Sequence, residues 1–229
     1  MKLLQTFVQN TAHEIRTPLT LISLNVGRMS TFDGAEQRSM RAVEVEKQIQ
    51  RITQLLDVSL IMLALESPEI ETSAVIDVAA LLREIGERVA EQYEMVIRYE
   101  IPDRLPRVAG NIGFLDEAFT QLFDNACRFS AGRGAVSARA GISSGQVWVE
   151  IEDEGQGIPE DQQPFIFNTF WRQDEAHTTH GFGIGLSIVK KVVERHQGEI
   201  SLSSREGKGT IIRLTLPALQ QNAPTLHSE

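Results

Sequence analysis

Two stretches near the start of the chain place apolar or small residues at alternating spacings of four and three, and this pattern constrains the fold most. The spacing is typical of helices that pack along one seam. It predicts a helix over residues 1–29, a turn at 30–34 and a second helix over 35–65, together an αα-hairpin. The first seam contains Leu4, Val8, Thr11, Ile15, Leu19, Ile22, Val26 and Met29, and the second contains Val45, Ile49, Ile52, Leu56, Ser59 and Leu63.

A single helical hairpin leaves part of its apolar surface uncovered. The economical solution is a homodimer in which two hairpins form a four-helix bundle. The alternative is that the hairpin packs against a second domain of the same chain. The sequence favours the homodimer.

His13 lies almost opposite the predicted seam, because it is two residues from both Thr11 and Ile15 and each residue turns a helix by about 100°. Thr17 follows one turn later on the same outward face, and Glu14 is adjacent to the histidine. An exposed imidazole beside a carboxylate is a nucleophile with a base that can accept its proton. Isolated histidines are usually ordinary surface or core residues, so this interpretation requires a donor elsewhere in the chain.

Composition limits the possible function classes. With 229 residues the chain can form two modest domains, and its single cysteine excludes an internal disulfide. No apolar run approaches the ~18–20 residues of a membrane span, and no signal peptide follows Met1. The net charge of −9 arises after residue 66, which argues against a nucleic-acid partner. We expect a cytoplasmic chain, a fragment of a longer protein whose other parts provide any membrane anchor.

After residue 66 the pattern changes to a mixture of strands and helices. Residues 67–73 are the expected linker, and 74–217 are expected to form an α/β sandwich, a mixed sheet covered by helices on one face. The polar, irregular stretch 154–180 is expected to be a lid, and 218–229 a disordered tail. The whole chain is therefore predicted to be α+β. Predicted strands are 74–77, 95–101, 107–110, 135–142, 146–152, 199–204 and 210–216, and predicted helices are 78–94, 112–129 and 182–196.

The first two of four blocks in this region combine polar side chains with close backbone approach. A predicted helix carries Asn125 and Arg128 beside its apolar face. Directly after a strand, Asp153 is followed by glycines at 155 and 157. Its carboxylate could accept hydrogen bonds from an exocyclic amine such as that of adenine, and glycines allow close backbone approach. Taken singly, these residues are also common as caps, surface charges and plain turns.

The other two blocks frame the predicted lid. Residues 165–172 are rich in aromatics and end in Arg172, which suggests side chains that dock onto a core and can release. Residues 181–186 place three glycines ahead of a helix, whose free amides and positive dipole end can cradle a phosphate. Ordinary core packing and an ordinary loop are the structural alternatives.

Residues 7–19 closely resemble the H-box of sensor histidine kinases, Phe-x-x-x-x-Ala-His-Glu-(Ile/Leu)-Arg-Thr-Pro-Leu, at every defined position. The four later blocks resemble, in the same order, the N, G1, F and G2 boxes of that family's ATP-binding domain. That domain shares its fold with the GHKL ATPases. The resemblance covers about residues 1–217.

The resemblance implies an ATP-dependent histidine autokinase of a two-component signalling system. His13 would take the γ-phosphoryl group of ATP, and Glu14 would accept or orient the imidazole proton. The group would then pass to an aspartate in the receiver domain of a response regulator. Thr17 belongs to a Glu-x-x-Thr pattern that the family links to dephosphorylating the regulator.

The resemblance also implies ATP and Mg²⁺ as cofactors. Gln121 departs from the family, which usually has asparagine there, while Arg128 and Phe129 replace the commoner lysine and tyrosine. The implied roles are Mg²⁺ coordination by Asn125, phosphate contact by Arg128, adenine contacts by Phe129 and Asp153, γ-phosphate contact by Arg172, and shaping of the pocket and lid by Gly155, Gly157, Gly181, Gly183 and Gly185.

Two alternatives have different sequence requirements. A stand-alone GHKL-type ATPase would not carry the H-box hairpin, and a kinase-dead dimeric scaffold that binds a regulator would not need Asn125 or Asp153. His177 and His180 could suggest a metal pair, but they are interpreted as solvated lid residues.

Overall fold

The structure is a computed structural model that describes residues 2–31, 34–67, 74–130, 134–172 and 182–219, without the side chains of 2–10 and 30–31. Helices α1 (Lys2–Thr31) and α2 (Ala35–Glu66) form the expected hairpin. Gly34 precedes α2, and its amide donates to the side chain of Gln37. Within the described ranges, no helix is long and apolar enough to cross a membrane.

The remainder is an α/β domain with a mixed five-stranded sheet, as the sequence predicts. The strand order is β2-β4-β5-β7-β6, with β2 parallel to β4 and the other neighbours antiparallel, and β1 and β3 form a separate antiparallel pair. The elements are β1 (Ala74–Ile76), α3 (Val78–Gln92), β2 (Ile97–Glu100), β3 (Val108–Gly110), α4 (Ile112–Ser130), β4 (Val136–Ser143), β5 (Gln146–Asp153), a 3₁₀ turn (Gln163–Phe165), α5 (Gly185–Arg195), β6 (Glu199–Arg205) and β7 (Gly209–Pro217).

The helices cover one face of this sheet, and the alternation of side chains along β5 shows which face it is. In β5, Val149 and Ile151 are buried while Glu150 and Glu152 lie on the open face. Helix α4 contacts both α3 and α5 and packs over β5, and its Phe119 and Phe123 are fully buried. The α+β architecture is therefore confirmed.

Helix α5 begins at Gly185, three residues later than predicted. Gly183 has a φ of +67°. This backbone conformation is incompatible with a right-handed helix, so the helix starts only after this residue. The hydroxyl of Ser187 then donates to the carbonyl of Ile184 at 2.7 Å in the first turn. Helix α3 likewise ends before Glu94, whose φ is +52°.

The predicted seam of α1 is only partly the face that packs inside the hairpin. Ile15 and Ile22 are half-buried, and among residues 11–29 the buried one is Pro18, which was not assigned to the seam. Leu19 and Val26 are about half exposed, at 50% and 51%. Leu4 and Val8 lie outside the residues with described side chains.

The predicted seam of α2 is divided in the same way. Ser59 is buried as expected, but Ile49, Leu56 and Leu63 are exposed. Their neighbours face α1 and the domain instead, and these are Gln48, Leu55, Met62 and Leu65. The apolar stripe on each helix is wider than one partner helix can cover. The four-three pattern therefore placed residues of the inward face and of the exposed face in one predicted seam.

The hairpin and the α/β domain meet where α2 ends. Arg195 of α5 donates to the carbonyl of Leu65 from Nε at 2.8 Å and from Nη2 at 2.6 Å, and also to the carbonyl of Ser67. Lys191, one turn earlier, pairs with Glu66. These bonds occupy carbonyls that the end of a helix would otherwise leave without a partner.

Candidate active site

A cavity of about 400 Å³ opens in the α/β domain between α4, the end of β5, the start of α5 and segment 156–172. Its size is typical of a small-molecule site. Both polar groups and apolar surfaces contribute to its wall. The lining residues are Gln121, Asn125, Arg128, Phe129, Asp153, Gln156, Gly157, Ile158, Ile166, Trp171, Arg172, Phe182, Gly183, Gly185, Leu186, Thr210 and Ile212.

Helix α4 supplies the polar wall of the cavity. Asn125 and Arg128 are three residues apart and therefore face the same side of the helix. The guanidinium of Arg128 donates from Nη2 to the amide oxygen Oδ1 of Asn125 and lies 5.0 Å from the ring centroid of Phe129. The amide oxygen to which the family resemblance assigns Mg²⁺ therefore accepts a hydrogen bond from a cationic side chain.

Asp153 forms the inner end of the cavity. It is the last residue of β5, it is buried, and its Oδ1 accepts a hydrogen bond from the amide of Gly155 at 2.9 Å. Burial raises the pKa of this carboxyl to about 6, although the backbone amides of Gly155 and Thr210 favour the charged form. A carboxylate with spare acceptor capacity therefore faces the cavity near neutral pH.

Two of the predicted glycines are required by their surroundings. A Cβ at Gly155 would lie 2.6 Å from the carbonyl oxygen of Phe129, and Gly157 has a φ of +67°. Gly183 and Gly185 also line the cavity, and Gly185 abuts the side chain of Gln121. Gly181 lies outside the described residues, as do His177 and His180.

The far wall comes from the aromatic segment. Trp171 and Arg172 line the cavity, and Ile166 is buried below them. Phe165, in contrast, is 50% exposed, so not every aromatic side chain of residues 165–172 docks onto the core as expected.

The donor set of the cavity fits a magnesium ion bound together with a nucleotide. Hard cations take oxygen ligands and usually need only one or two from the protein when phosphates supply the others. Asn125 offers its amide oxygen, which accepts a hydrogen bond from Arg128, and Gln121 lies one turn earlier on the same wall. Among the described residues, no cluster of three histidine, cysteine or acidic side chains could hold a metal by itself.

The hairpin presents the other predicted residues outside this cavity. His13 is exposed, and its Nδ1 lies 3.5 Å from Nη1 of Arg16. Glu14 is half-buried, with Oε2 3.9 Å from Nη2 of Arg51 on α2. Thr17 is exposed, and within the described residues its hydroxyl makes no hydrogen bond to the carbonyl of His13.

Arg51 connects the two parts. Besides its contact with Glu14, its guanidinium lies 5.3 Å from the ring centroid of Phe182, which lines the cavity. His13 itself is not among the lining residues. The structure therefore brings the cavity residues together but leaves the histidine separate from them.

Sequence reasoning missed several lining residues. Thr210 faces Asp153 because the two residues are partners in the β5–β7 register, which the sequence does not reveal. Ile212 follows two residues later on the same face of β7 and carries only the signal of alternation. Ile158, Trp171 and Leu186 complete the apolar wall.

Two family models match the chain, and together they decide its relationship. The "His Kinase A (phospho-acceptor) domain" matches residues 3–66, and the "Histidine kinase-, DNA gyrase B-, and HSP90-like ATPase" matches residues 110–220. The chain belongs to the histidine kinases. It carries their catalytic core, with the phospho-acceptor hairpin followed by the ATPase-type domain.

Individual relatives agree with this membership. The sensor histidine kinase YkoH of Bacillus subtilis is 30% identical over 226 residues, which is 95% of this chain and 48% of YkoH. The histidine kinase CikA of Synechocystis is 32% identical over 235 residues, covering 95% of this chain and 31% of CikA. The chain spans between 31% and 57% of the length of the curated relatives compared.

A solved structure of a histidine kinase supports the same fold. Full-length ShkA in complex with AMPPNP superposes with a TM-score of 0.69 at 26% identity, over 96% of this chain and 47% of ShkA. The described architecture is therefore that of a histidine kinase core in both its parts.

Proposed function

We propose that this chain is the ATP-dependent autokinase core of a two-component system, which phosphorylates His13 and passes the phosphoryl group to an aspartate of a response regulator. One observation carries the proposal. An exposed histidine beside a carboxylate stands on a helical hairpin, and the same chain has a cavity lined by an amide, two arginines and a buried carboxylate. These two features support a phosphoryl acceptor and a donor site in one chain.

Asp153 and Phe129 recognise the adenine in this proposal. The carboxylate at the inner end of the cavity accepts a hydrogen bond from the exocyclic amine, while Phe129, Ile158 and Ile212 offer apolar surface to the ring. The AMPPNP complex of ShkA supports a nucleotide of this class, since AMPPNP is an analogue of ATP.

The triphosphate end is assigned to α4, Arg172 and the start of α5. Arg128 and Arg172 contact phosphate oxygens, and the glycines at 183 and 185 let backbone amides approach them. Asn125 holds Mg²⁺, with Gln121 orienting its surroundings. When bound, the ion neutralises phosphate charge, which lowers the electrostatic barrier to transfer.

The transfer itself uses the exposed imidazole. A ring nitrogen of His13 attacks the γ-phosphorus in line, so that an N–P bond forms while the bond to the leaving oxygen of ADP breaks. Glu14 accepts or orients the proton on the other ring nitrogen. The cavity must approach His13 for this step, because the histidine does not line it. The approaching cavity belongs either to the same chain or to the partner in a dimer.

The proposed partners follow from the outer faces of the hairpin. Exposed apolar residues on both helices, including Leu19, Leu24, Leu56 and Leu60, are offered to a second copy of the chain. The regulator docks beside His13, where Thr17 positions a water for hydrolysis of the aspartyl phosphate.

Because ATP is supplied in the cytoplasm, the proposal places the core there. Any membrane anchor belongs to other parts of the protein.

The domain assignment completes the proposal. Residues 1–66 form the dimerisation and phosphotransfer unit, 67–73 the linker, 74–217 the ATP-binding domain and 218–229 a tail. Of these, 68–73 and 220–229 lie outside the described residues.

The test is incubation with γ-labelled ATP. The chain is expected to acquire acid-labile label. His13→Gln is expected to acquire none while its affinity for ATP stays within about threefold, because the histidine lies outside the cavity. Label retained by His13→Gln would overturn the acceptor assignment. Released phosphate without label would favour a stand-alone ATPase, and the absence of both would favour a scaffold.

A further inference from the structure

A series of side-chain contacts reaches the cavity from Tyr93 and Asp124, two residues to which the sequence analysis gave no role in the site. It begins at Tyr93, which follows α3, and continues through Asp124 and Arg128 of α4 to Asn125. Tyr93 and Asp124 do not line the cavity, whereas Arg128 and Asn125 do. The series therefore connects a residue outside the site with two residues inside it.

The first link is short and directional. The hydroxyl of Tyr93 donates to Oδ1 of Asp124 at 2.6 Å. Burial, reinforced by the hydrogen bond to Asp124, raises the pKa of the Tyr93 phenol well above its usual value, so the hydroxyl stays protonated at any working pH. Tyr93 is therefore always the donor, and Oδ1 of Asp124 is always occupied.

The second link uses the other carboxylate oxygen. Oδ2 of Asp124 lies 3.6 Å from Nη1 of Arg128, while Nη2 of the same guanidinium donates to Asn125. The hydrogen bond from Tyr93 fixes the orientation of the Asp124 carboxylate, and the 3.6 Å separation at Oδ2 is longer than the close, two-pronged pair that arginine and carboxylate favour. The same guanidinium can therefore also reach the amide of Asn125.

We propose that Tyr93 is a positioning residue of the nucleotide site, which acts through Asp124 to keep the guanidinium of Arg128 at the cavity wall, within reach of phosphate. The proposal rests on the proposed function, since it requires that the cavity binds a nucleotide with Mg²⁺. Without the Tyr93 hydroxyl, Asp124 is free to turn both oxygens to Arg128. The guanidinium is then drawn towards Asp124 and away from the cavity.

The test compares the two tyrosines of the chain. Tyr93→Phe is measured against Tyr99→Phe, which removes a buried hydroxyl of the same domain that has no hydrogen-bond partner among the described residues. Binding of AMPPNP is measured by calorimetry with and without Mg²⁺, beside the melting temperature of each variant. One hydrogen bond is worth about a threefold to tenfold change in affinity, so Tyr93→Phe is expected to weaken AMPPNP–Mg²⁺ binding by that factor and Tyr99→Phe to leave it unchanged.

A double-mutant cycle separates positioning from simple loss of stability. Tyr93→Phe is repeated in an Arg128→Gln background, where its effect on affinity is expected to disappear because there is no guanidinium to position. A loss of affinity that persists at the same factor in that background would overturn the proposal, as would wild-type affinity in Tyr93→Phe. If the unmodified chain does not bind AMPPNP at all, the proposed function fails instead, and the two failures are distinguishable.

Discussion

The two parts of this molecule handle their apolar residues in opposite ways. The α/β domain encloses its own core, in which the large side chains of α4 and the inward side chains of the sheet are fully buried. The hairpin buries only a narrow row and leaves leucines such as Leu24 and Leu60 at 53% and 64% exposure. The comparison indicates that the domain can fold alone, whereas the hairpin is completed by a partner.

The two parts of the molecule also carry different steps of the proposed chemistry. The binding groups lie within the self-contained domain, where burial and backbone contacts fix Asp153. The proposed nucleophile His13 stands on the exposed side of the hairpin. A fixed binding site and an accessible acceptor suit the proposed activity, in which a phosphoryl group is taken from one molecule and given to another.

The largest expected effect tests whether the domain is self-contained. Phe119→Ala removes a fully buried ring of α4 and is expected to cost the α/β domain about 3–5 kcal/mol of stability. Denaturant unfolding followed by circular dichroism should show the domain melting before the hairpin. Phe165→Ala, at a half-exposed ring, is the matched control and is expected to change little. Equal losses in the two variants would contradict the assigned core.

The next test introduces a charge on the uncovered face of the hairpin. Leu56→Glu places a carboxylate where the dimer is expected to be apolar. An unpaired charge buried there should raise the dimer dissociation constant at least about a hundredfold. Sedimentation across a concentration series measures it. Val96→Glu, at an 83% exposed apolar residue of the other part, is the control. A dimer that survives Leu56→Glu would show that the interface lies elsewhere.

A third test divides the activities of the hairpin. Thr17→Ala is expected to keep autophosphorylation and transfer but to lower regulator phosphatase activity about tenfold or more, because only hydrolysis needs a hydroxyl to place a water. Both rates are measured on one preparation with the cognate regulator. A parallel loss of both rates, with a lower melting temperature, would instead identify Thr17 as a structural residue of the helix.

The smallest effect depends on pH and concerns the binding part alone. The pKa of Asp153 is raised to about 6, so its carboxylate is charged above that pH and increasingly protonated below it. Affinity for ATP is therefore expected to fall about tenfold from pH 7 to pH 5. Because the nucleotide phosphates also titrate, Asp153→Asn provides the reference, and only the difference between the two profiles counts. Identical profiles would remove Asp153 from the recognition of adenine.

The sequence predicted the fold well because its signals are local. The four-three spacing marked both helices of the hairpin, and each strand of the structure lies close to a stretch predicted as a strand. It could not separate the two apolar faces of α2, since Leu55 and Leu56 are equally hydrophobic and only the partner surfaces distinguish them. The start of α5 was misplaced because the positive φ of Gly183 is a property of the folded loop.

In the candidate site, too, sequence-based prediction identified the residues with local signals and missed those placed by tertiary structure. Asn125, Asp153 and Arg172 were selectable from sequence because polar groups stood at motif positions beside apolar or glycine-rich stretches. Thr210 and Tyr93 were not, because their places depend on strand register and on the packing of α3 against α4.

The hydrogen bonds from Arg195 to the end of α2 connect the hairpin to the cavity through α5. Helix α5 is a short rod of 11 residues. Gly185 at one end borders the cavity, and Arg195 at the other holds the last carbonyls of α2. Under the proposed function, α5 is therefore the route by which a rotation of α2 would reach the rim of the cavity. If the two are coupled in this way, reciprocity requires that nucleotide binding shift the orientation of α2 by the same coupling free energy.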